Sequence, residues 1–233
     1  MNPTIGIIAR NCHTVIKECK INRHLKGAIL VTGDETNAIK IHGCKFYKNK
    51  EINIEVTGIN CKPVIEQNII FDSDGVGIKV HVGSSPKIVS NLIKKARIGI
   101  ECISSDPIIF KNKIELSLED GILSRTYKTL FCEAKIELNE LTDNEANGIY
   151  VKGQNNHTHI EHNHAIYMNK RAGIAVDDKA FPKILRNKIS NNLHQGILVI
   201  ENSNAFIEGN HIFQNIKANI ACGGEGAQDT VFF

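Results

Sequence analysis

The stretch Asn187–Ile197, which reads NKISNNLHQGI, contains the pattern that decides the fold. An Asn is followed two residues later by an Ile, and a Gly-Ile step closes the phrase. The Ile of the Gly-Ile step recurs at intervals of 22–27 residues, at Ile7, Ile29, Ile54, Ile78, Ile100, Ile122, Ile149, Ile174, Ile197 and Ile220. A period of this length is the signature of a repeat protein, in which each repeat forms one structural unit.

Two further columns run in step with the first. An Ile column, from Ile16 to Ile207, stands three residues before a column made mostly of Asn. The members of this Asn column are Cys19, Cys44, Asn68, Asn91, Asn112, Asn139, Asn163, Asn187 and Asn210. The apolar positions are short, β-branched and separated by turn residues, without the i, i+3, i+4, i+7 spacing of a helix. Leucine-rich repeats share the period but need a Leu framework, so the pattern predicts an all-β parallel β-helix of about nine to ten coils.

The columns themselves are predicted to be structural. Equivalent residues on successive coils lie about 4.8 Å apart, so the Ile residues stack into a core and the Asn side chains form a ladder. Asn at the corner tolerates a left-handed backbone, and Gly before the column Ile relaxes the other bend. Cys19 and Cys44 replace Asn in the first coils, where we expect a weaker or drier ladder. The β-helix is predicted to span residues 1–222, followed by a Gly-rich tail or cap at 223–233.

Length variation is confined to one step of the repeat, between the Gly-Ile column and the next Ile column. Insertions on one edge of a repeat protein often mark its binding face, although loops also drift in length where nothing packs. The candidate binding residues on this variable edge are Asp34, Glu35, Asp106, Arg125, Tyr127 and Lys128.

One acidic pair is the candidate for catalysis. Asp177 and Asp178 follow a strand, with Lys179 beside them, and resemble the paired carboxylates of polygalacturonase-type hydrolases. No G-H-G or R-I-K segment accompanies the pair, so a solvated turn is the favoured interpretation. Asp72 and Asp74 could contribute oxygen ligands to calcium, but two carboxylates without further ligands favour a turn.

Histidines are densest between His157 and His164. His157 and His159 would share the outward face of a strand whose Ile160 points inward, within reach of one metal ion. No third ligand is fixed by the spacing, so an exposed polar strand is the simpler interpretation. We therefore predict no cofactor and no resident metal.

Composition narrows the class of protein. The net charge is +3, with Lys and Glu mixed along the chain, which argues against nucleic-acid binding. The seven cysteines lack C-x-x-C spacing, and no signal-peptide pattern or membrane-length apolar run is present. These features predict free thiols and a cytoplasmic location. The absence of Trp and the presence of only four Tyr disfavour a carbohydrate-binding groove.

The phrase P-x-I-x-x-N resembles the right-handed parallel β-helix repeats of the β-helix F-box proteins and the Shc-binding protein family. It occurs at Pro86–Asn91, Pro107–Asn112 and Pro182–Asn187, and Glu208–Ile212 is similar. The resemblance covers residues from about Val15 to Ile220 and is specific for the architecture. It implies a protein-binding module, although no F-box or cysteine-rich zinc domain is visible.

Two functions remain open from the sequence. The first is a non-enzymatic scaffold, or a subunit of a cytoplasmic and possibly cytoskeletal or ciliary assembly. It would bind other proteins at the variable edge and at the solenoid ends. The alternative is a polysaccharide lyase or hydrolase of the pectin-lyase-like superfamily.

Overall fold

A computed structural model describes residues 4–34, 38–81 and 83–223. The described chain contains 28 short strands arranged in three parallel sheets. Each coil contributes one strand to each sheet in turn, so the predicted all-β parallel β-helix is confirmed. No helix in the described residues is long and apolar enough to cross a membrane.

Sheet A has ten strands and contains the Gly-Ile column. Its strands are β1 (Ile5–Arg10), β4 (Gly27–Thr32), β7 (Ile52–Thr57), β10 (Val76–Val80), β13 (Ile100–Ile103), β16 (Ile122–Arg125), β19 (Ile149–Lys152), β22 (Ile174–Asp177), β25 (Ile197–Val199) and β28 (Ile220–Cys222).

Sheets B and C have nine strands each. Sheet B consists of β2 (Val15–Lys17), β5 (Lys40–His42), β8 (Val64–Glu66), β11 (Lys87–Val89), β14 (Ile108–Phe110), β17 (Lys135–Glu137), β20 (His159–Glu161), β23 (Lys183–Leu185) and β26 (Phe206–Glu208). Sheet C consists of β3 (Lys20–Asn22), β6 (Lys45–Tyr47), β9 (Ile69–Phe71), β12 (Leu92–Lys94), β15 (Lys113–Glu115), β18 (Glu140–Thr142), β21 (Ala165–Tyr167), β24 (Lys188–Ser190) and β27 (His211–Phe213).

The sequence columns are the stacked positions of these sheets. Ile78 pairs with Ile54 on one side and Ile100 on the other, and Ile88 lies between Ile65 and Ile109 in the same way. These side chains are fully buried inside the solenoid. Burial of an Ile side chain contributes about 1.5–3 kcal/mol, so the stacked columns are the main source of the fold's stability.

The Asn ladder forms as predicted, with one correction. The Asn139 Oδ1 accepts the backbone N–H of Asn112 at 2.9 Å, and the Asn163 Oδ1 accepts that of Asn139 at 2.9 Å. The left-handed conformation belongs to the residue before each Asn, such as Leu138 with φ of 55°. The bend at that residue turns the Asn side chain inward, where its amide is buried and fully bonded.

The glycines before the column Ile also act differently from our prediction. From Gly77 onward they have no positive φ, so they do not relax a bend. A Cβ built on Gly148 would lie 2.7 Å from the carbonyl oxygen of Gly173 on the next coil. Glycine is therefore needed because successive coils approach each other too closely for a side chain.

The connections between sheets A and B vary from four residues (104–107) to nine (126–134), as the sequence predicted. The predicted tail is outside the described residues from 224 onward. Cys102 is buried in the core, whereas Cys222 is exposed. Cys222 ends β28, which pairs with β25 among the described residues of sheet A.

Candidate functional site

The turns that lead from sheet C into sheet A form a wall along one side of sheet A. Their backbones are joined coil to coil: Arg171 N–H donates to Ala146 O at 3.0 Å, His194 N–H to Arg171 O at 3.2 Å, and Lys217 N–H to His194 O at 3.1 Å. These bonds align one residue per coil. We call the resulting series the wall row, and its members are Arg97, Glu119, Ala146, Arg171, His194 and Lys217.

The outward face of sheet A forms the floor beside this wall. Strand register places Tyr150 next to Leu123 on one side and Ala175 on the other, followed by Leu198. Ile98, from one of the wall turns, packs against Leu123 in a small apolar cluster that Tyr150 flanks. The wall turns therefore rest on the floor and do not project freely into solvent.

A cleft of about 310 Å³ lies where the wall meets the floor. It is lined by Asn147, Tyr150, Arg171, Ala172, Ala175, His194, Gln195, Leu198 and Ile200. Ala175 and Leu198 make its base apolar, whereas Arg171, His194 and Gln195 are polar groups of the wall. The Gln195 Oε1 atom is buried and accepts no hydrogen bond from the described residues, so a ligand hydroxyl would reach it only after the side chain moved.

Tyr150 lies at the centre of the cleft and is held by Asp177. Its hydroxyl donates to the Asp177 Oδ2 at 2.6 Å. Burial raises the pKa of Tyr150 first, and the hydrogen bond and charge of Asp177, with the charges of Asp120 and Asp178, raise it further. Tyr150 is therefore a neutral phenol that donates hydrogen bonds at physiological pH.

The pKa of His194 is lowered, in contrast to that of Tyr150. Loss of solvent lowers the pKa of its imidazole, and the positive charges of Lys217 and Arg171 lower it further. The imidazole is neutral at pH 7 and so has a free lone pair for accepting a proton. A neutral base with cations on both sides suits the removal of a proton next to an anionic group.

Asp120 is a buried carboxyl behind the cleft. Burial raises its pKa, although the backbone and side-chain N–H groups of Asn147 both donate to its Oδ1 at 2.9 Å. The Asn147 Oδ1 in turn accepts the Ala172 N–H at 3.1 Å. This chain of bonds ties three coils together and fixes the wall turns beside Tyr150.

The floor on the N-terminal side of the cleft is neutralised by its own ion pairs. The buried Glu101 accepts from Arg125 Nε at 3.0 Å, and Lys79 Nζ lies 3.5 Å from its second oxygen. The His81 Nε2 lies 2.7 Å from the Glu55 Oε1, and this hydrogen bond lowers the pKa of Glu55. No cation of these pairs is left without a carboxylate partner.

The structure separates the predicted catalytic pair. Asp177 ends β22 and faces the floor, but Asp178 and Lys179 lie in the exposed turn with φ of 53° and 62°. The Asp178 N–H donates to the Asp177 Oδ1 at 2.6 Å, and the Lys179 N–H donates to the Glu201 carbonyl at 3.2 Å. Only Asp177 of the three contacts a group of the cleft.

The predicted binding-edge residues are dispersed along several turns. The Asp34 Oδ1 accepts the Ile59 N–H at 3.0 Å, and the Asp106 Oδ1 accepts the Glu133 N–H at 2.7 Å, so both carboxylates brace the next coil. Arg125 instead belongs to the floor. Tyr127 is exposed under the ammonium of Lys128, 5.0 Å from the ring centroid. Glu35 lies outside the described residues.

The histidine pair has other partners than a metal. His157 packs between Phe131 and Phe181, with ring centroids 6.3 Å and 6.2 Å away. The His159 Nδ1 lies 3.4 Å from the Glu161 Oε1. The described residues contain no group of three or more His, Cys, Asp or Glu placed to hold a metal ion.

The candidate calcium ligands Asp72 and Asp74 also have partners in the structure. Asp72 lies 3.7 Å from the Lys95 ammonium, and Asp74 is paired with Lys50. Each of the two carboxylates therefore has a lysine partner. The turn interpretation of these two residues therefore fits the structure.

Comparison with known proteins establishes the family. The model of the right-handed β-helix region matches residues 1–129 and 98–231, and the chain belongs to this family. The right-handed parallel β-helix is thus confirmed, and nothing in the comparison supports the narrower resemblance to F-box or Shc-binding proteins. No curated protein sequence matches the chain significantly.

Two solved structures are similar over nearly the whole chain. The A-module of the Azotobacter vinelandii mannuronan C-5 epimerase AlgE6 is 13% identical, with 99% of this chain and 72% of that chain covered and a TM-score of 0.76. The periplasmic alginate epimerase AlgG is 13% identical, with 96% and 79% covered and a TM-score of 0.52. At these identities the similarity shows a shared fold.

The comparison contradicts our predicted cytoplasmic location. AlgG, which covers 96% of this chain, is a periplasmic protein. The scattered cysteines and the missing signal-peptide pattern carried the cytoplasmic prediction, and a β-helix core accommodates buried thiols such as Cys61 and Cys102 without any disulfide. Cysteine spacing was therefore a poor guide to the compartment.

Proposed function

We propose that the cleft around Tyr150 binds a linear acidic polysaccharide and removes the proton from C5 of one uronate unit. The observation that carries this proposal is the position of His194, which lies between Arg171 and Lys217 in the wall row and lines the same cleft as Tyr150. A C5 proton of a uronate is adjacent to the carboxylate. Its removal needs a base and a cation that stabilises the charge developing on that carboxylate.

The cleft supplies a group for each step. Arg171 binds the substrate carboxylate, and the neutral His194 accepts the C5 proton. The resulting electron pair either takes a proton on the other face of the sugar, which is epimerisation, or expels the O4 substituent, which is elimination. The Tyr150 hydroxyl is the nearby donor for either outcome. Ala175 and Leu198 accommodate an apolar sugar face, and the Gln195 Oε1 accepts from a hydroxyl once its side chain has moved.

The structural relatives support the same substrate class. Both are epimerases, one of mannuronan and one of alginate. A shared fold alone does not transfer chemistry, so this support is secondary to the residues of the cleft.

Two other functions receive less support. Hydrolysis would require two free carboxyls, but Asp177 is bound to Tyr150 and Asp120 is buried against Asn147. Neither the family nor the similar structures support the protein-binding scaffold or its narrower F-box-like form. Protein partners at the variable edge and at the solenoid ends stay a prediction.

The proposal is tested by incubating the protein with polymannuronate, polyguluronate and polygalacturonate in D₂O. NMR should show deuterium at C5 of one polymer, which marks epimerisation, or an unsaturated sugar end, which marks elimination. His194→Asn and Arg171→Ala should slow either reaction about 100-fold or more. His164→Asn, an exposed histidine at the corner between sheets B and C, is the matched control and should react like the wild type. New reducing ends with neither C5 deuterium nor an unsaturated sugar end would show a hydrolase instead.

A further inference from the structure

We infer that the cleft continues toward the C-terminal coils as a one-sided series of carboxylate subsites, in which Lys217 holds the uronate two units beyond the reacting one. This inference rests on the proposed function, because it takes the reacting sugar to lie between Tyr150 and His194. It assigns Lys217 a role in selecting substrate length.

The spacing of the wall row is the first argument. Arg171, His194 and Lys217 are joined by successive backbone hydrogen bonds of 3.2 Å and 3.1 Å, so they lie on consecutive coils. Consecutive coils are about 4.8 Å apart, which is close to the length of one sugar unit in an extended chain. A polyuronate laid along the solenoid axis therefore presents about one carboxylate to each coil.

The distribution of ion pairs is the second argument. On the N-terminal side, Arg97 NH1 contacts both carboxylate oxygens of Glu119 at 3.2 Å and 3.1 Å, and Ala146 offers no charge. Arg171 and Lys217 form no ion pair within 4 Å with any described residue. A bound polyanion would therefore have to break an existing ion pair on the N-terminal side of the reacting sugar but not on the C-terminal side.

Exposure of Lys217 completes the case. The residue is exposed, yet its charge reaches His194 strongly enough to perturb that imidazole. The Lys217 ammonium is solvent-accessible and close to His194, so it can bind a substrate carboxylate near the reacting unit. An exposed pair of this kind is screened by salt, so the gain in affinity should fall as ionic strength rises.

The test compares uronate oligomers of increasing length. For Lys217→Ala, assayed well above pH 6.5 where His194 is neutral in both proteins, we expect the KM of oligomers that reach the coil of Lys217 to rise about tenfold relative to the KM of the shortest substrate. Lys217→Arg should restore the length dependence. Lys183→Ala removes an equal charge from the outer face of sheet B and should behave like the wild type.

Binding separates this inference from the proposed function. Calorimetry with the His194→Asn variant measures oligomer affinity without turnover. Length-dependent binding that is lost in the His194→Asn, Lys217→Ala double variant, with neither C5 exchange nor unsaturated ends from the wild type, would support the subsites and overturn the chemistry. Turnover with the same KM at every length in wild type and Lys217→Ala would overturn the subsites alone. The absence of both binding and turnover would overturn both.

Discussion

At the scale of single residues, the protonation states in the cleft are set by neighbours on other coils. Tyr150 stays neutral because of burial and Asp177, and His194 stays neutral because of burial, Lys217 and Arg171. Neither perturbation comes from a residue close in sequence. A phenol that donates and an imidazole that accepts are thus placed in one cleft by the stacking of β19 and the turn before β25.

The pH dependence of turnover follows from His194. The base is active when neutral, and its pKa lies below the ordinary value of 6.5, so the acidic limb of kcat/KM should fall below pH 6.5. Arg171 and Lys217 are the charged groups that face it. Lys217→Ala removes one of these cations and should move the limb upward, toward 6.5. A limb at or above pH 6.5 in the wild type, or a downward shift in the variant, would exclude His194 as the base.

At the scale of the elements, the close approach of sheet A strands is made possible by glycine. The Gly that precedes the column Ile is in contact with the backbone of the next coil, as Gly148 is with Gly173. The glycine column therefore allows the close stacking of the coils.

Gly148→Ala should destabilise the protein by about 1–3 kcal/mol, because its Cβ would lie 2.7 Å from the Gly173 carbonyl oxygen. Gly27→Ala is the matched control in the same sheet. Its nearest neighbour would be 3.4 Å away, so the effect should be below about 1 kcal/mol. The free energy of unfolding from urea denaturation measures both. Equal losses in the two variants would show that coil contact is not the reason for the glycine.

At the scale of the whole molecule, the solenoid is a stack in which each coil contacts only its neighbours. Sheet order follows chain order in all three sheets, with every strand paired to the strand three places before or after it. The stability of such a stack is nearly a sum of coil and interface contributions. The cleft, by contrast, needs only the coils that carry Asp120 to Lys217.

Deletion of residues 68–90, one complete coil, should therefore give a folded protein. The deletion joins Gln67 to Asn91, so Gln67 takes the place of Ser90 before Asn91. Both residues have a left-handed backbone, with φ of 55° for Gln67 and 52° for Ser90. We expect a native-like far-UV CD spectrum, a lower melting temperature and retained C5 exchange. Deletion of residues 68–79, about half a coil, breaks the register and should prevent folding. Similar behaviour of the two deletions would contradict the independence of the coils.

The sequence by itself determined the architecture. The Ile, Asn and Gly columns repeat because every coil meets the same packing and hydrogen-bonding requirements, so the period, the parallel β-helix and the variable edge were readable. The left-handed residue before each Asn and the contact role of glycine were misassigned. Both depend on backbone geometry between coils, which a pattern of residue types does not specify.

Only the tertiary structure decided the site. Tyr150, Arg171 and His194 occupy non-repeating positions on three coils, and stacking brings them together although 44 residues separate the first from the last. The sequence drew attention to the adjacent Asp177 and Asp178, but strand alternation directs only Asp177 to the floor. Outward positions are not constrained by the repeat. The chemistry of the cleft therefore had no periodic signal in the sequence and appeared only when the coils were stacked.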